Sequence, residues 1–210
     1  MEIISHRGFW DNSNQMNTLD SFEKSFQLGF GIETDLRDLG GEIVISHDIP
    51  KNGAPTLKSF FEMYKDFQNE PKLALNIKAD GLAKEIIKLI QIYNIKNYFL
   101  FDMSVPDGLT YIKLGMNTFT RNSEYEIMPA FIDEAKGIWL DQFNSKWFSK
   151  DDLLKFISLD KEICIVSPEL HNREYINEWI EYKEYLDEIG NHDVMLCTDY
   201  PEEANSFFND

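Results

Sequence analysis

Residues 32–48 read IETDLRDLGGEIVISHD. Glu33 and Asp35 stand at alternate positions of an apolar run, a Gly40-Gly41 pair follows, and a second apolar run, IVI, leads into His47-Asp48. Residues two apart on a strand point to the same side. Two carboxylates aimed together repel one another unless a proton or a cation lies between them. The competing reading is a pair of solvated strand-end acids. The two runs read as strands around the Gly-Gly turn, and each ends in groups suited to chemistry.

Outward from this stretch, short apolar runs alternate with amphipathic ones along the whole chain. EIIS (2–5) reads as a strand, and TLDSFEKSFQLG (18–29) as a helix stopped by Gly29. TLKSFFEMYKDF (56–67) reads as a helix that Thr56 can cap, KLALNIK (72–78) as a strand and GLAKEIIKLIQIYN (81–94) as a helix. The alternation goes on through NYFLFD, a helix over 106–114, MNTFTR, a short helix near 126–135 and GIWLD. It closes with SKDDLLKFISL capped by Ser149, EICIVS, a helix from 172 to 189, DVMLC and a helix after Pro201. With EIVIS counted as an extension of the second unit, eight strands alternate with helices. That pattern implies parallel pairing through right-handed crossovers. An α/β (β/α)8 TIM barrel is expected, as one compact domain over residues 1–210. An open doubly wound sheet is the rival. The barrel is preferred because His6, Glu33, Asp35, Asn76 and Lys78 all fall at strand C-terminal ends, which a barrel gathers on one face.

Composition sets limits. The chain has 210 residues, 37 acidic against 20 basic side chains, and a net charge of −17. Such a surface repels nucleic-acid backbones and anionic membranes, so no nucleic-acid partner and no stable membrane insertion are expected. An anionic substrate would need a local device, such as a metal ion, to overcome that field. Cys164 and Cys197 lie in apolar strand-like runs and read as buried core thiols of a reducing compartment. The opening MEIISHRGFW lacks a basic region followed by an apolar one, so a cytoplasmic protein is expected. Nothing in the sequence speaks to oligomeric state.

Chemistry concentrates at the strand ends. Oxygen ligands such as Glu33 and Asp35, completed by water, suit a hard ion, Mg²⁺ or Ca²⁺. His6 and His47, two of four histidines, each follow a serine at a strand end and read together as a general acid/base pair. Arg7 beside His6, and Lys78 on the same side of its strand as Asn76, would clamp a phosphate. His171 and His192 read as structural or exposed.

HRGFWDNSNQMNTLDSFEKSFQLGFGIETDLRDLGGEIVISHD resembles the opening of the glycerophosphodiester phosphodiesterase family, in the phosphatidylinositol-phospholipase-C-like superfamily: His-Arg-Gly, then Glu-Asn-Thr with a helix, then Glu-x-Asp, then a strand ending His-Asp. LCTDYPEEA resembles that family's end, Thr-Asp-x-Pro after the eighth strand. The resemblance implies a phosphoric diester hydrolase with His6 and His47 as acid and base, Glu33 and Asp35 as metal ligands, and Arg7 and Lys78 on the phosphate. Two positions depart from the pattern. Leu-Glu-Ile-Lys is LNIK here, putting the neutral amide of Asn76 where a third metal ligand stands, and Glu-Asn-Thr is Met16-Asn17-Thr18. Asp102 and Asp141 end later strands and are the acids available to compensate. Arg121, Glu124 and Glu169 are candidates for reading the alcohol, and Trp10, Trp139 and Phe143 for an apolar wall. One helix between the Gly-Gly strand and the next leaves little room for an inserted cap, which favours a small head-group diester. The alternatives are a lipid-directed or cyclic-phosphate-forming phosphodiesterase and a degenerate barrel that binds phosphorylated ligands without turnover.

Overall fold

The computed structural model describes residues 1–190 and 194–210. Contacts gather the chain into two compact units, residues 4–118 and residues 1–3 with 119–210. The first unit holds β1 (Glu2–His6, from Ile4 onward), α1 (Leu19–Gln27), β2 (Gly31–Leu39), β3 (Glu42–Ile45) and α2 (Leu57–Tyr64). β4 (Leu73–Ile77), α3 (Ala83–Tyr93), β5 (Tyr98–Phe101) and α4 (Val105–Lys113) complete it. Its parallel strands lie in the order β5-β4-β2-β1, and β3 folds back antiparallel on the far half of β2. The fold-back needs positive φ at two consecutive residues, and Gly40 (+60°) and Gly41 (+91°) supply it.

Local signals explain the helices. Thr18 accepts the Ser21 N–H at 3.2 Å and starts α1; Thr56 accepts the Ser59 N–H at 3.0 Å and starts α2. The faces these helices bury are aromatic: Phe60 lies 5.0 Å from Phe22 and 6.2 Å from Phe26, over a floor that includes Ile32, Leu36 and Leu75. That packing holds α1 and α2 against the outer side of β2 and β4. The alternate residues of those strands, Glu33, Asp35 and Asn76, therefore point the other way.

The second unit holds β6 (Phe119–Asn122), β7 (Gly137–Leu140), α5 (Lys150–Ser158), β8 (Glu162–Val166), α6 (Ile176–Ile189), β9 (Val194–Thr198) and α7 (Pro201–Asn209). Its strands are parallel in the order β9-β8-β7-β6. Ser149 and Asp152 close a capping box on α5. Both cysteines are buried, Cys164 in β8 and Cys197 in β9, and neither is in a disulfide. No described helix is long and apolar enough to cross a membrane.

Two expectations are corrected. Residues 126–135 form turns, not a helix. Pro129 bars the helical conformation at Met128, and Phe131 adopts a left-handed φ of 44°. The helix expected from 172 begins at Ile176, because Pro168–His171 make a separate 3-10 turn that ends on left-handed Asn172, φ 56°. The expectation for His192 lies outside the described residues.

Candidate active site

Within residues 4–118, the register of the parallel strands builds one polar cluster. His6 pairs with Glu33 across β1 and β2, and Asp35 pairs with Asn76 across β2 and β4. Lys78 lies two residues past Asn76 on the same side. Glu33, Asp35 and Asn76 are all buried. His6 Nε2 stands 3.9 Å from Glu33 Oε2, and Arg7 Nε 3.2 Å from Asp35 Oδ2. Lys78 Nζ lies 3.4 Å from Asp35 Oδ1 and 3.6 Å from Asp102 Oδ2. Arg7 and Lys78 meet Asp35 as charge contacts without aligned hydrogen bonds, since Arg7 Nε and Asp35 Oδ1 each lack one.

The loop after β1 is shaped to deliver Arg7. Arg7 has a left-handed φ of 57°, a strained value for a residue with a Cβ. The Asn17 N–H holds it there by donating to the Arg7 carbonyl at 2.9 Å. Gly8 must be glycine: a Cβ there would sit 2.4 Å from Ser21 Oγ and 2.9 Å from the Phe22 ring. The Trp10 indole N–H donates to the His6 carbonyl at 2.9 Å, so Trp10 braces the backbone of this strand end.

Asn17 and Thr34 join this cluster, although their motif positions gave them no role. Asn17 Nδ2 donates to Asp35 Oδ2 at 2.8 Å, and the Thr34 hydroxyl donates to Asn17 Oδ1 at 2.8 Å. One Asp35 oxygen is thereby hydrogen-bonded, while the other accepts no hydrogen bond and has Lys78 Nζ at 3.4 Å. The available signal was Asn17 inside the Met-Asn-Thr triplet.

Glu33 carries the largest electrostatic penalty. Burial, and next the charge of Asp35, push its carboxyl up to about 7, against the opposing pull of His6, Lys78 and Arg7. His47 stands apart: it is exposed, its Nδ1 lies 2.9 Å from Asp48 Oδ1, and its carbonyl accepts from Arg37 Nε at 3.0 Å. Among the described residues no hydrogen bond or ion pair joins it to His6 or Glu33. The hydrogen bond and charge of His47 hold the Asp48 carboxyl below its usual range, with smaller contributions from Arg7 and Arg37.

No family model and no curated protein matches the chain. Solved structures do. A glycerophosphodiester phosphodiesterase from Agrobacterium tumefaciens superposes with TM-score 0.68 at 17% identity, over 98% of this chain and 99% of its own. An Oleispira antarctica phosphodiesterase in complex with the product sn-glycerol-3-phosphate gives 0.70 at 17%, over 100% and 97%. A glycerophosphodiester phosphodiesterase from Thermotoga maritima gives 0.61 at 15%, over 96% and 95%.

The fold is a (β/α)8 TIM barrel. Barrels of this kind place their chemistry at strand C-terminal ends, where His6, Glu33, Asp35, Asn76 and Lys78 stand. The barrel's donor set fits a hard divalent ion on one observation. Glu33 Oε2, Asp35 Oδ1 and Asn76 Oδ1 are three buried oxygens without a hydrogen-bond partner, on neighbouring strand positions. No cluster of three or more acidic, histidine or cysteine ligands occurs among the described residues, so the amide of Asn76 is part of what makes the set.

At the barrel strand ends of residues 119–210, other expected readers are engaged. Glu124 accepts the backbone N–H groups of Phe143 (3.2 Å) and Asn144 (2.7 Å). Burial alone would raise its carboxyl, and these N–H donors, with those of Ser145 and its own residue, hold it low instead. Arg121 is paired with Glu126. Glu169 accepts from Ser167, from Thr198 and from the Asp199 N–H, and burial raises its carboxyl. Asp141 is tied to His171 Nε2 at 2.7 Å. Trp139 is buried in the strand layer.

Proposed function

We propose that this chain is a divalent-metal-dependent phosphodiesterase acting on a glycerophosphodiester or a similar small head-group diester, with residues 1–210 as one catalytic domain working in the cytoplasm. The three buried oxygens of Glu33, Asp35 and Asn76 that accept no hydrogen bond, set among Arg7, Lys78 and His6, carry the reading. The likeness to phosphodiesterase structures, one of them holding sn-glycerol-3-phosphate, supports the substrate class.

A divalent ion on those oxygens, Mg²⁺ or Ca²⁺, would supply Lewis-acid stabilisation of negative charge on the phosphoryl oxygens. Arg7 and Lys78 bind those same oxygens, already turned toward the site by Asp35 and Asp102. His6 and His47 divide the proton work: one takes the proton of the attacking hydroxyl and the other gives one to the departing alkoxide. Asp48, bonded to Nδ1 of His47, leaves its Nε2 for that exchange. Asn17 keeps Asp35 in its orientation throughout.

The test is hydrolysis of bis(4-nitrophenyl) phosphate and of a panel of glycerophosphodiesters with Mg²⁺, Ca²⁺ or Mn²⁺ and with chelator. We expect chelation to abolish turnover and His6→Ala and His47→Ala each to lower it by about 10²–10⁴-fold. Turnover that survives both substitutions, or that ignores chelator, defeats the proposal. A cyclic phosphate among the products would identify the substrate's neighbouring hydroxyl as the attacking group.

A further inference from the structure

The strand ends of residues 119–210 carry a second constellation that the phosphodiester reading does not use. Asp141 follows β7, and its Oδ1 accepts the Gln142 N–H at 2.9 Å and meets His171 Nε2 at 2.7 Å. The Asp141 side chain is 7% exposed and that of His171 23%. A buried carboxylate thus fixes one nitrogen of an imidazole whose ring still reaches solvent. The His171 ring packs on Phe143, centroids 4.8 Å apart, and Phe143 lies 5.9 Å from the ring of Tyr125, which is 71% exposed. Tyr125, Phe143 and His171 form a continuous aromatic ledge drawn from three different connections.

The ledge is held rigid. Glu124 fastens the Phe143–Asn144 backbone with both carboxylate oxygens, Asn144 donates from its amide to the Tyr125 hydroxyl, and Arg173 donates to the Gln142 carbonyl at 3.0 Å. The polar groups around it are engaged inside the protein: Arg121 with Glu126, Asp141 with the His171 ring, Glu124 with backbone N–H groups. What faces outward is polar edge (imidazole, carboxamide and phenol) beside aromatic faces. The surrounding field disfavours anions, since residues 119–210 hold 21 of the 37 acidic and only eight of the 20 basic side chains.

We propose that Tyr125, Phe143, Asn144 and His171 form a second binding site, for a neutral polyhydroxylated ligand such as a sugar or polyol. The C–H face of such a ring stacks on Phe143 and Tyr125, and its hydroxyl groups exchange hydrogen bonds with His171 and Asn144. Asp141 is the positioning residue that fixes the imidazole. The site stands independently of the phosphodiesterase reading, because it involves none of the groups around Glu33 and Asp35.

Saturation-transfer NMR and calorimetry with glycerol, myo-inositol and methyl β-D-glucopyranoside as probes test this directly, with inorganic phosphate as the anionic control. At least one polyol should bind with a millimolar or tighter Kd and phosphate should not compete with it. His171→Gln should weaken that binding about tenfold. Tyr125→Ala, an exposed position whose replacement leaves the fold intact by circular dichroism, should do the same, while His6→Ala leaves it unchanged. Absence of binding by all three polyols up to about 50 mM, well above the millimolar range expected, or binding untouched by both ledge substitutions, overturns the proposal. Absence of hydrolysis of every diester on the panel with any of the three divalent ions would overturn the phosphodiesterase reading alone.

Discussion

Replacing Glu33 by glutamine isolates the electrostatic cost of the candidate metal site. In the metal-free protein the Glu33 carboxyl is pushed from 4.5 up to about 7, mainly by burial and then by Asp35. The neutral form is the one that the folded state prefers. Its contribution to stability is complete below pH 4.5 and is lost as the pH rises through 7, where folding must hold a buried anion that the unfolded chain ionises freely. Across that window the loss amounts to roughly 3 kcal/mol. The glutamine variant has no proton to lose at this position, so the difference between the two proteins isolates this group from every other titration. In chelator, the Tm of wild type relative to Glu33→Gln should fall by about 6–12 °C between about pH 4.5 and 8, at about 2–4 °C per kcal/mol for a chain of this size. Saturating divalent ion should reverse the order at about pH 8, because wild type gains binding free energy that the amide variant largely forgoes. Thermal melts of both proteins across that pH range, with and without metal, decide the matter. A Tm difference that does not change with pH in chelator refutes the buried-anion reasoning.

Asn76→Asp restores a third carboxylate beside Asp35 and should tighten Mn²⁺ or Ca²⁺ binding about tenfold by calorimetry, while lowering metal-free stability at about pH 8 through added repulsion. Asn17→Ala removes the group that occupies Asp35 Oδ2 and should weaken divalent binding about 10–100-fold with little change in circular dichroism. Phe60→Ala, at the centre of the ring cluster with Phe22, Phe26, Phe61 and Tyr64, should cost about 3–5 kcal/mol in urea unfolding. Gly8→Ala should perturb Arg7 and lower phosphodiester turnover, since the added methyl collides with Ser21 and Phe22 and the +86° φ disfavours it; unchanged KM and kcat would count against Arg7 as a phosphate contact.

Much of the barrel is legible because its elements are written in local periodicities. Thr56 and Ser149 cap the helices expected of them, and the strands through Glu33, Asn76 and Cys164 run where the apolar runs are. The failures are equally local. Residues 126–135 have helix-like spacing, but Pro129 and the left-handed Phe131 break it into turns. In the HNREY segment, Asn172 takes the φ that stops one helix before the next begins.

For the site, the chain order alone marks His6, Arg7, Glu33, Asp35, Asn76 and Lys78 as strand-end groups on neighbouring strands. That reading requires only that alternate residues share a face. The strand register, a product of tertiary pairing, decides which oxygens accept no hydrogen bond and which cations they meet. Asn17 lies in a loop with no periodicity, and only the folded chain brings its amide between Thr34 and Asp35. His171 read as a bystander because a single histidine in a loop carries no pattern. Its bond to Asp141, 30 residues earlier, exists because parallel β7 and β8 bring the two connections together. Sequence by itself therefore determined the elements and the residue types available at their ends, since propensity, capping and alternation act over a few residues. Tertiary structure alone decided the partners, because hydrogen bonds and ion pairs join groups that are distant along the chain and close only in space.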